Sequence, residues 1–433
     1  MYDLKDIARR IVEEAKALGA EHVQCFVREN KKEEFNVDGG KFSLMRTLFD
    51  RDVSVTVLKQ QRKGAVKINR FDEAAVSKAV RQCVAASESA EPDPAWEFAA
   101  GPAEAAYEDG APVCDREKLF ERTRELLKDV NERHPKIMME QMITDHTTIR
   151  TVYLNSNGVS YDRLSGSYSF SLMYSAHEGE KGSSFFGSDV TLTNLDRPVI
   201  ECGAIERELA AVERQIDTEP LEGKFVGTAV LAPSALGEVV VSTILDNFVS
   251  DSNLIDGTSI WKDKLGEQVA DGRLSISFRP RADFAAVGQR FTSEGYEAKD
   301  FDLIRDGRLA SFRLSQYGAN KTGGTRAGNE SWNLEIPAGQ KPLEEIIAGI
   351  DRGIFVMRFS GGQPASSGEF SGVAKNSFMI ENGKITCALK ETMISGCVPD
   401  MLNNIREISS DVLRDGTVSV PYIAFDGITI SGK

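Results

Sequence analysis

Histidine is scarce in this sequence: four occur in 433 residues, at 22, 134, 146 and 177, too far apart for any two to share a turn of helix. A catalytic zinc site on a helix usually needs two closely spaced His with a Glu beside them as general base. His177-Glu178 begins such a pattern, but Gly179-Glu180-Lys181-Gly182 follows without a second His. The six cysteines, at 25, 83, 114, 202, 387 and 397, form no Cys-x-x-Cys pair and read as reduced, mostly buried thiols. Long apolar runs are missing as well, none approaching the roughly 18 residues that cross a bilayer. The charged start, Met1 to Ala20, is unlike a secretion signal, so the expected location is cytoplasmic, away from membranes. Positive charge is in deficit, with 52 Lys and Arg against 66 Asp and Glu for a net charge of −14, which opposes general binding to nucleic acid.

Other catalytic signatures are equally thin. No Gly-x-Ser-x-Gly elbow occurs, and the Ser-Gly-rich stretch Ser360 to Gly372 lacks the Gly-Lys-Ser/Thr of a phosphate loop. No local sequence places a basic group beside a thiol, as an activated cysteine requires. Asp246 and Asp251, five residues apart, do not share a helix face and are expected to be solvent-facing or capping groups.

What is present is an ordinary globular composition, 41% hydrophobic and 27% charged, in a chain long enough for more than one domain. Asp3 can cap a helix whose Leu4, Ile7, Ala8, Ile11, Val12, Ala15 and Leu18 recur at helical spacing, with Gly19 ending it. His22 to Val27, Lys32 to Val37 and Val53 to Leu58 read as strands, followed by a helix over Glu73 to Ala86. Residues 87–114, with Pro92, Pro94, Pro102 and Pro112, read as a linker or loosely packed arm. A helix from Asp115 to Pro135, strands around Ile149 to Leu154 and Tyr168 to Tyr174, and a helix through Ile205, Leu209, Val212 and Ile216 follow. Beyond Pro220, the pairs Asp271-Gly272, Asp306-Gly307, Asn382-Gly383, Asp415-Gly416 and Asp426-Gly427 mark hairpins of an antiparallel sheet. Helices are expected there over Ala235 to Val249, Leu343 to Asp351 and Pro399 to Ile408. The expected class is multi-domain α+β, largely antiparallel sheets with packed helices, divided at 1–90, 91–114 (the linker), 115–219 and 220–433.

Several blocks in the second half occur in a particular order: Phe225 to Ala235, Gly257-Thr258-Ser259, Lys264 to Ala270, Ser293-Glu294-Gly295, Ile336 to Gly339, Gly368 to Ser371, Ile380 to Ile385 and Ile394-Ser395-Gly396. With Asp52 to Gly64 and Asn155-Ser156-Asn157-Gly158, this succession resembles the TldD/TldE (PmbA) peptidase family over about residues 5 to 430. The resemblance implies two-subunit cytoplasmic peptidases whose TldD-type subunit carries His-Glu-x-x-x-His on the helix after a Leu-x-Pro segment, with a later Cys as third zinc ligand. The TldE-type subunit lacks these ligands and completes the assembly. The family also carries the label of DNA gyrase modulators.

Alignment on Pro233, Gly237 and Asp251 puts Val241 and Asp246 at the two His positions and Ser242 at the Glu position, while 416–433 holds no cysteine. Thr292, where an Asp often precedes Glu-Gly, is a further departure. Val cannot bind zinc and Ser cannot replace the general base. The resemblance thus implies a subunit with no catalytic residue and no metal or cofactor of its own, zinc being expected in a TldD-like partner. The substrate implied is an unfolded peptide. Two other readings stand beside it: a stand-alone peptide-binding or scaffold homodimer, consistent with homo-oligomers of the isolated chain, and an independent non-zinc hydrolase using Ser242 and Asp246.

Overall fold

The computed structural model describes residues 3–362 and 364–432. Its first helix, α1 (Leu4–Ala17), starts where Asp3 accepts a hydrogen bond from the Lys5 N–H at 2.9 Å. Leu4, Ile7, Ala8, Ile11 and Ala15 form its buried stripe, as the spacing predicts. Together with α2 (Glu73–Glu88) it buries that stripe against Val23, Cys25, Val27, Val53, Val55 and Val57 of the first sheet.

That sheet is built from β1 (His22–Asp38), β2 (Lys41–Lys59), β3 (Arg62–Ile68), β4 (Ala103–Gly110), β5 (Ile137–Asn155), β6 (Val159–Glu178), the short β7 (Lys181–Gly182) and β8 (Phe186–Leu192). The order is β3-β2-β1-β5-β6-β4, with β7 and β8 also pairing with β6. Three expectations change here. His22 to Val27 and Lys32 to Val37 are one continuous strand, because the charged run between them still pairs residue by residue with both β2 and β5. Residues 91–114 are no loose arm: β4 runs parallel to β6 from Ala103 to Gly110, and Ala95, Phe98 and Ala99 are buried. Segments 1–90 and 115–219 also share this single sheet, since β1 pairs with β5 from Gln24↔Asn155 to Asp38↔Gln141.

The helices α3 (Arg116–Arg133) and α4 (Ile205–Glu213) follow, their buried Leu119, Leu126, Val130, Ile205, Leu209 and Val212 entering a core shared with Val230, Leu343, Phe355 and Tyr422 of the second half. The second sheet comprises β9 (Thr218–Pro220), β10 (Lys224–Leu231), β11 (Ile276–Phe278), β12 (Phe301–Arg305), β13 (Arg308–Leu309), β14 (Leu334–Glu335), β15 (Arg352–Gly361), β16 (Glu369–Glu381), β17 (Lys384–Lys390), β18 (Thr392–Cys397), β19 (Ile405–Arg414) and β20 (Ser419–Ser431). Its order is β13-β12-β11-β14-β20-β10-β15-β16-β17-β9, with β18 on β16 and β20 and β19 on β20. The pairs β10·β15, β14·β20 and β17·β9 are parallel and the rest antiparallel. Short helices α5 (Pro233–Leu236), α6 (Asp251–Ile255), α7 (Gln316–Thr322), α8 (Leu343–Ala348) and α9 (Val398–Asn403) pack around it. The architecture is α+β with largely antiparallel sheets.

Asp306-Gly307 and Asn382-Gly383 turn the β12–β13 and β16–β17 hairpins with positive φ at all four residues, as expected. Asp426-Gly427 instead lies inside β20, where the pairing with β10 slips between Gly227 and Ala229; Thr228 Oγ1 donates to Asp426 Oδ1 at 2.6 Å across this bulge. The helix expected over Pro399 to Ile408 is shorter, since Ile405 and Ile408 are strand residues of β19 paired with Phe425 and Ile423. Among the described residues no helix is long and apolar enough to cross a membrane.

Candidate functional site

The helix that carries Val241, Ser242 and Asp246 begins at Pro233, whose fixed φ and missing N–H suit a first helical position. Ala235, Leu236, Val239, Val240, Ile244, Leu245 and Phe248 bury one face in the core of the second sheet. After α5 the backbone widens to i→i+5 turns over Gly237–Val241 and Ile244–Phe248, so the expected helix is present but unwound relative to an α-helix. Asp246 is exposed, and Val241 and Ser242 are half-buried.

Ser242 Oγ donates to the Glu238 carbonyl at 2.6 Å, one turn back in its own helix. The Glu238 carboxylate accepts the Phe359 N–H at 2.6 Å and ties the helix to β15, while Asn247 Nδ2 donates to the Ala365 carbonyl at 3.3 Å. A zinc ion does not fit these side chains: Val241 offers no lone pair, and Ser242 spends its proton on the helix. Nor is an imidazole supplied to Ser242. All four His belong to the first sheet or its helix: His22 pairs with Asn157, His134 with Glu213, His146 with the Ala111 carbonyl and His177 with Ser175.

The other sequence blocks fix the surroundings of this helix. Asp251 accepts from the Ser315 N–H at 2.9 Å and from its hydroxyl, so it holds the N-cap residue of α7 instead of capping a helix itself; Asp246 is solvent-facing. Glu294 accepts from the N–H groups of Gln316 and Tyr317 at 2.7 and 3.2 Å, at the start of α7; burial pushes its carboxyl up from the usual range. Asn155 Oδ1 accepts from Asn157 and Val159, and its Nδ2 donates to the Ala99 carbonyl at 2.8 Å, so the Asn155 to Gly158 turn clamps the segment ahead of β4.

A second grouping was not foreseen. Among the described residues, the His, Cys, Asp and Glu side chains close enough to hold a metal ion together are Glu33, Cys114 and His146, with one ligand atom of each within 4.8 Å of the others. Glu33 on β1 and His146 on β5 are direct register partners, and Cys114 enters from the segment leading into α3. Burial alone would raise the Glu33 carboxyl, but hydrogen bonds from the Cys114 thiol, Arg116 and Lys31 outweigh it and hold it at about 2. Burial and the Glu33 carboxylate push the Cys114 thiol up to about 12. No local spacing could have revealed this trio, because its proximity depends on the β1–β5 register.

Residues 224–432 match the family described as the PmbA/TldA metallopeptidase C-terminal domain. That match places the second half of the chain with the PmbA/TldD family. It is 25% identical over 402 residues to the metalloprotease PmbA homolog of Haemophilus influenzae, covering 89% of this chain and 86% of the relative. It is also 25% identical over 434 residues to the metalloprotease PmbA of Escherichia coli O157:H7, covering 92% and 87%. The structure of TldE from Thermococcus kodakarensis superposes with a TM-score of 0.87 at 19% identity, over 98% of this chain and all of that one. A Thermotoga maritima protein named for a proposed role as a modulator of a DNA gyrase gives 0.83 at 20% identity, over 99% of this chain. These two likenesses establish the PmbA/TldD-like fold.

Proposed function

We propose that this chain is the non-catalytic, TldE/PmbA-like subunit of a heteromeric zinc-dependent peptidase acting on unfolded peptides. The observation that supports this reading is the outer face of the 233–248 helix, which is tied into the sheet and presents Val241, Ser242 and Asp246 where the resemblance expects a metal-binding set. The zinc and the general base then belong to a TldD-like partner. This chain contributes walls and a peptide grip.

The surface for such contacts is the first half of β2. Residues 41–50 pair with β1 on one side, whereas the β3 ladder covers only 53–59 on the other. Phe42, Leu44, Met45 and Phe49 are exposed along it, Phe49 at 72%. A free backbone edge with apolar side chains suits pairing with another strand, whether a partner's or a peptide's. The same edge would serve a homodimer, which is why the homodimeric scaffold remains the second reading.

The test uses the purified full chain, a zinc-bearing relative and an unstructured peptide. The expected result is no cleavage by this chain alone and at least tenfold faster cleavage by the mixture than by the relative alone. Cleavage by the isolated chain, or a mixture no faster than the relative, overturns the proposal.

A further inference from the structure

Outside the 233–248 helix, the Glu33, Cys114 and His146 cluster brings together the three donor types that transition metals favour, a thiol, an imidazole and a carboxylate. His146 is 1% exposed and Glu33 5%. The imidazole has one nitrogen engaged: Nε2–H donates to the Ala111 carbonyl at 2.7 Å, which fixes the tautomer and leaves the lone pair on Nδ1. The Thr148 hydroxyl also donates to the Pro112 carbonyl at 2.9 Å, so its contact with Nδ1, at 3.5 Å, is long and shared. A bound cation would be a stronger partner for that lone pair.

Glu33 is held in place from one side. Arg116 and Lys31 both contact its Oε1, Lys31 at 3.0 Å. Neither cation brings a competing lone pair, and both act as outer partners that orient the carboxylate. Tyr168, whose ring lies 4.6 Å from that of His146, closes another side. A tetrahedral ion with bonds of about 2.0–2.3 Å sets its ligand atoms about 3.3–3.7 Å apart. The present separations, up to 4.8 Å, close to that range with an inward movement of roughly 1 Å. Cys114, half-buried in the segment ahead of α3, is the ligand free to make it.

We propose that Glu33, Cys114 and His146 form a zinc-type divalent metal site that staples the segment ahead of α3 onto strands β1 and β5. In the metal-free protein the Cys114 thiol lies beside the Glu33 carboxylate. On binding, the S–H proton passes to solvent and a metal–sulfur bond replaces it, with no change of oxidation state; water takes the fourth position. The site stands apart from the 233–248 helix and does not depend on the subunit reading above.

Cobalt(II), a spectroscopic stand-in for zinc, tests this on the full chain after chelator treatment. The expected result is one equivalent bound with a thiolate-to-cobalt charge-transfer band, and at least tenfold weaker binding without the band in Cys114→Ser and His146→Gln. Zinc should also raise the unfolding midpoint of the unmodified chain but not of Cys114→Ser, whose fold is checked by circular dichroism. Absence of the thiolate band, or an undiminished band in Cys114→Ser, overturns the proposal and leaves a hydrogen-bonded cluster only. If Cys114→Ser does not fold, Glu33→Gln takes its place, with full cobalt affinity as the overturning result. Peptide cleavage by a mixture with a zinc-bearing relative is expected to be unchanged in Cys114→Ser, so failure of one proposal is separable from failure of the other.

Discussion

Gly295 lies against the hydroxyl of Tyr153, so closely that a Cβ on it would come within 2.2 Å of that oxygen. Tyr153 belongs to β5 of the first sheet, and its hydroxyl is within hydrogen-bond distance of Gln24 Oε1, 3.0 Å, and of the Glu294 carbonyl, 3.2 Å. One contact thus locks the Glu294 loop, and through it α7, onto the N-terminal sheet. With φ at +87°, Gly295 also occupies backbone space that other residues avoid. Gly295→Ala is expected to cost about 2–4 kcal/mol in urea unfolding, from strain and the displaced Tyr153 together. A change below about 0.5 kcal/mol would contradict this account.

A second tie between the halves is Asp109 at the end of β4, which meets Arg163 Nε at 2.7 Å and Arg290 Nε at 2.8 Å. Burial would raise its carboxyl, but the two guanidinium groups prevail and lower it. A depressed pKa gives stability that is present above the unfolded value, about 4, and lost as pH falls below it. Asp109→Asn should destabilise by roughly 2–4 kcal/mol at pH 7, by leaving two partly buried cations without a counter-charge. The difference should shrink toward pH 3, as read from unfolding midpoints across pH.

Glu208 on α4 behaves in the opposite sense. It lines a cavity of about 360 Å³ between α4 and the second sheet, accepts a hydrogen bond from Ser188, and is pushed up to about 7, chiefly by burial and then by Asp189 and Asp415. The folded chain therefore holds a proton that the unfolded chain releases. The stabilisation is complete below the unfolded pKa and is lost as pH rises toward 7. Glu208→Gln, which mimics the protonated form, is expected to match the unmodified chain at pH 5 and to melt about 2–4 °C higher at pH 8. Equal melting at both pH values would sink this assignment.

Ser242→Ala and Asp246→Ala, singly or together, are expected to leave cleavage by the mixture with a zinc-bearing relative within about twofold, since Ser242 is bonded to its own helix and supplied with no imidazole. A loss of tenfold or more in the double variant would revive the non-zinc hydrolase reading.

Met45→Lys and Phe49→Asp test the free edge of β2. Both side chains are exposed, so folding should change little, within about 0.5 kcal/mol. Association with a partner, measured by sedimentation, should weaken at least tenfold. Unchanged association would place the interface elsewhere.

Local patterns were legible where the physics is local. The stripe of α1, its Asp3 cap, and the Asp306-Gly307 and Asn382-Gly383 hairpins all follow from spacing or from turn residues. Where pairing is long-range the same reasoning failed. The polar run of β1 separates two expected strands by its composition but is held as strand by two neighbours, and β4 is a strand because β6 offers it an edge.

The helix after Pro233 returns with that distinction. Its residues alone determined that it carries no His-Glu-x-x-x-His set, because ligand chemistry belongs to side-chain type. The tertiary structure alone decided that Ser242 donates to its own backbone, and that Glu33, Cys114 and His146, spread over more than a hundred positions, converge. Sheet register brings distant residues together through backbone hydrogen bonds whose partners no local sequence specifies.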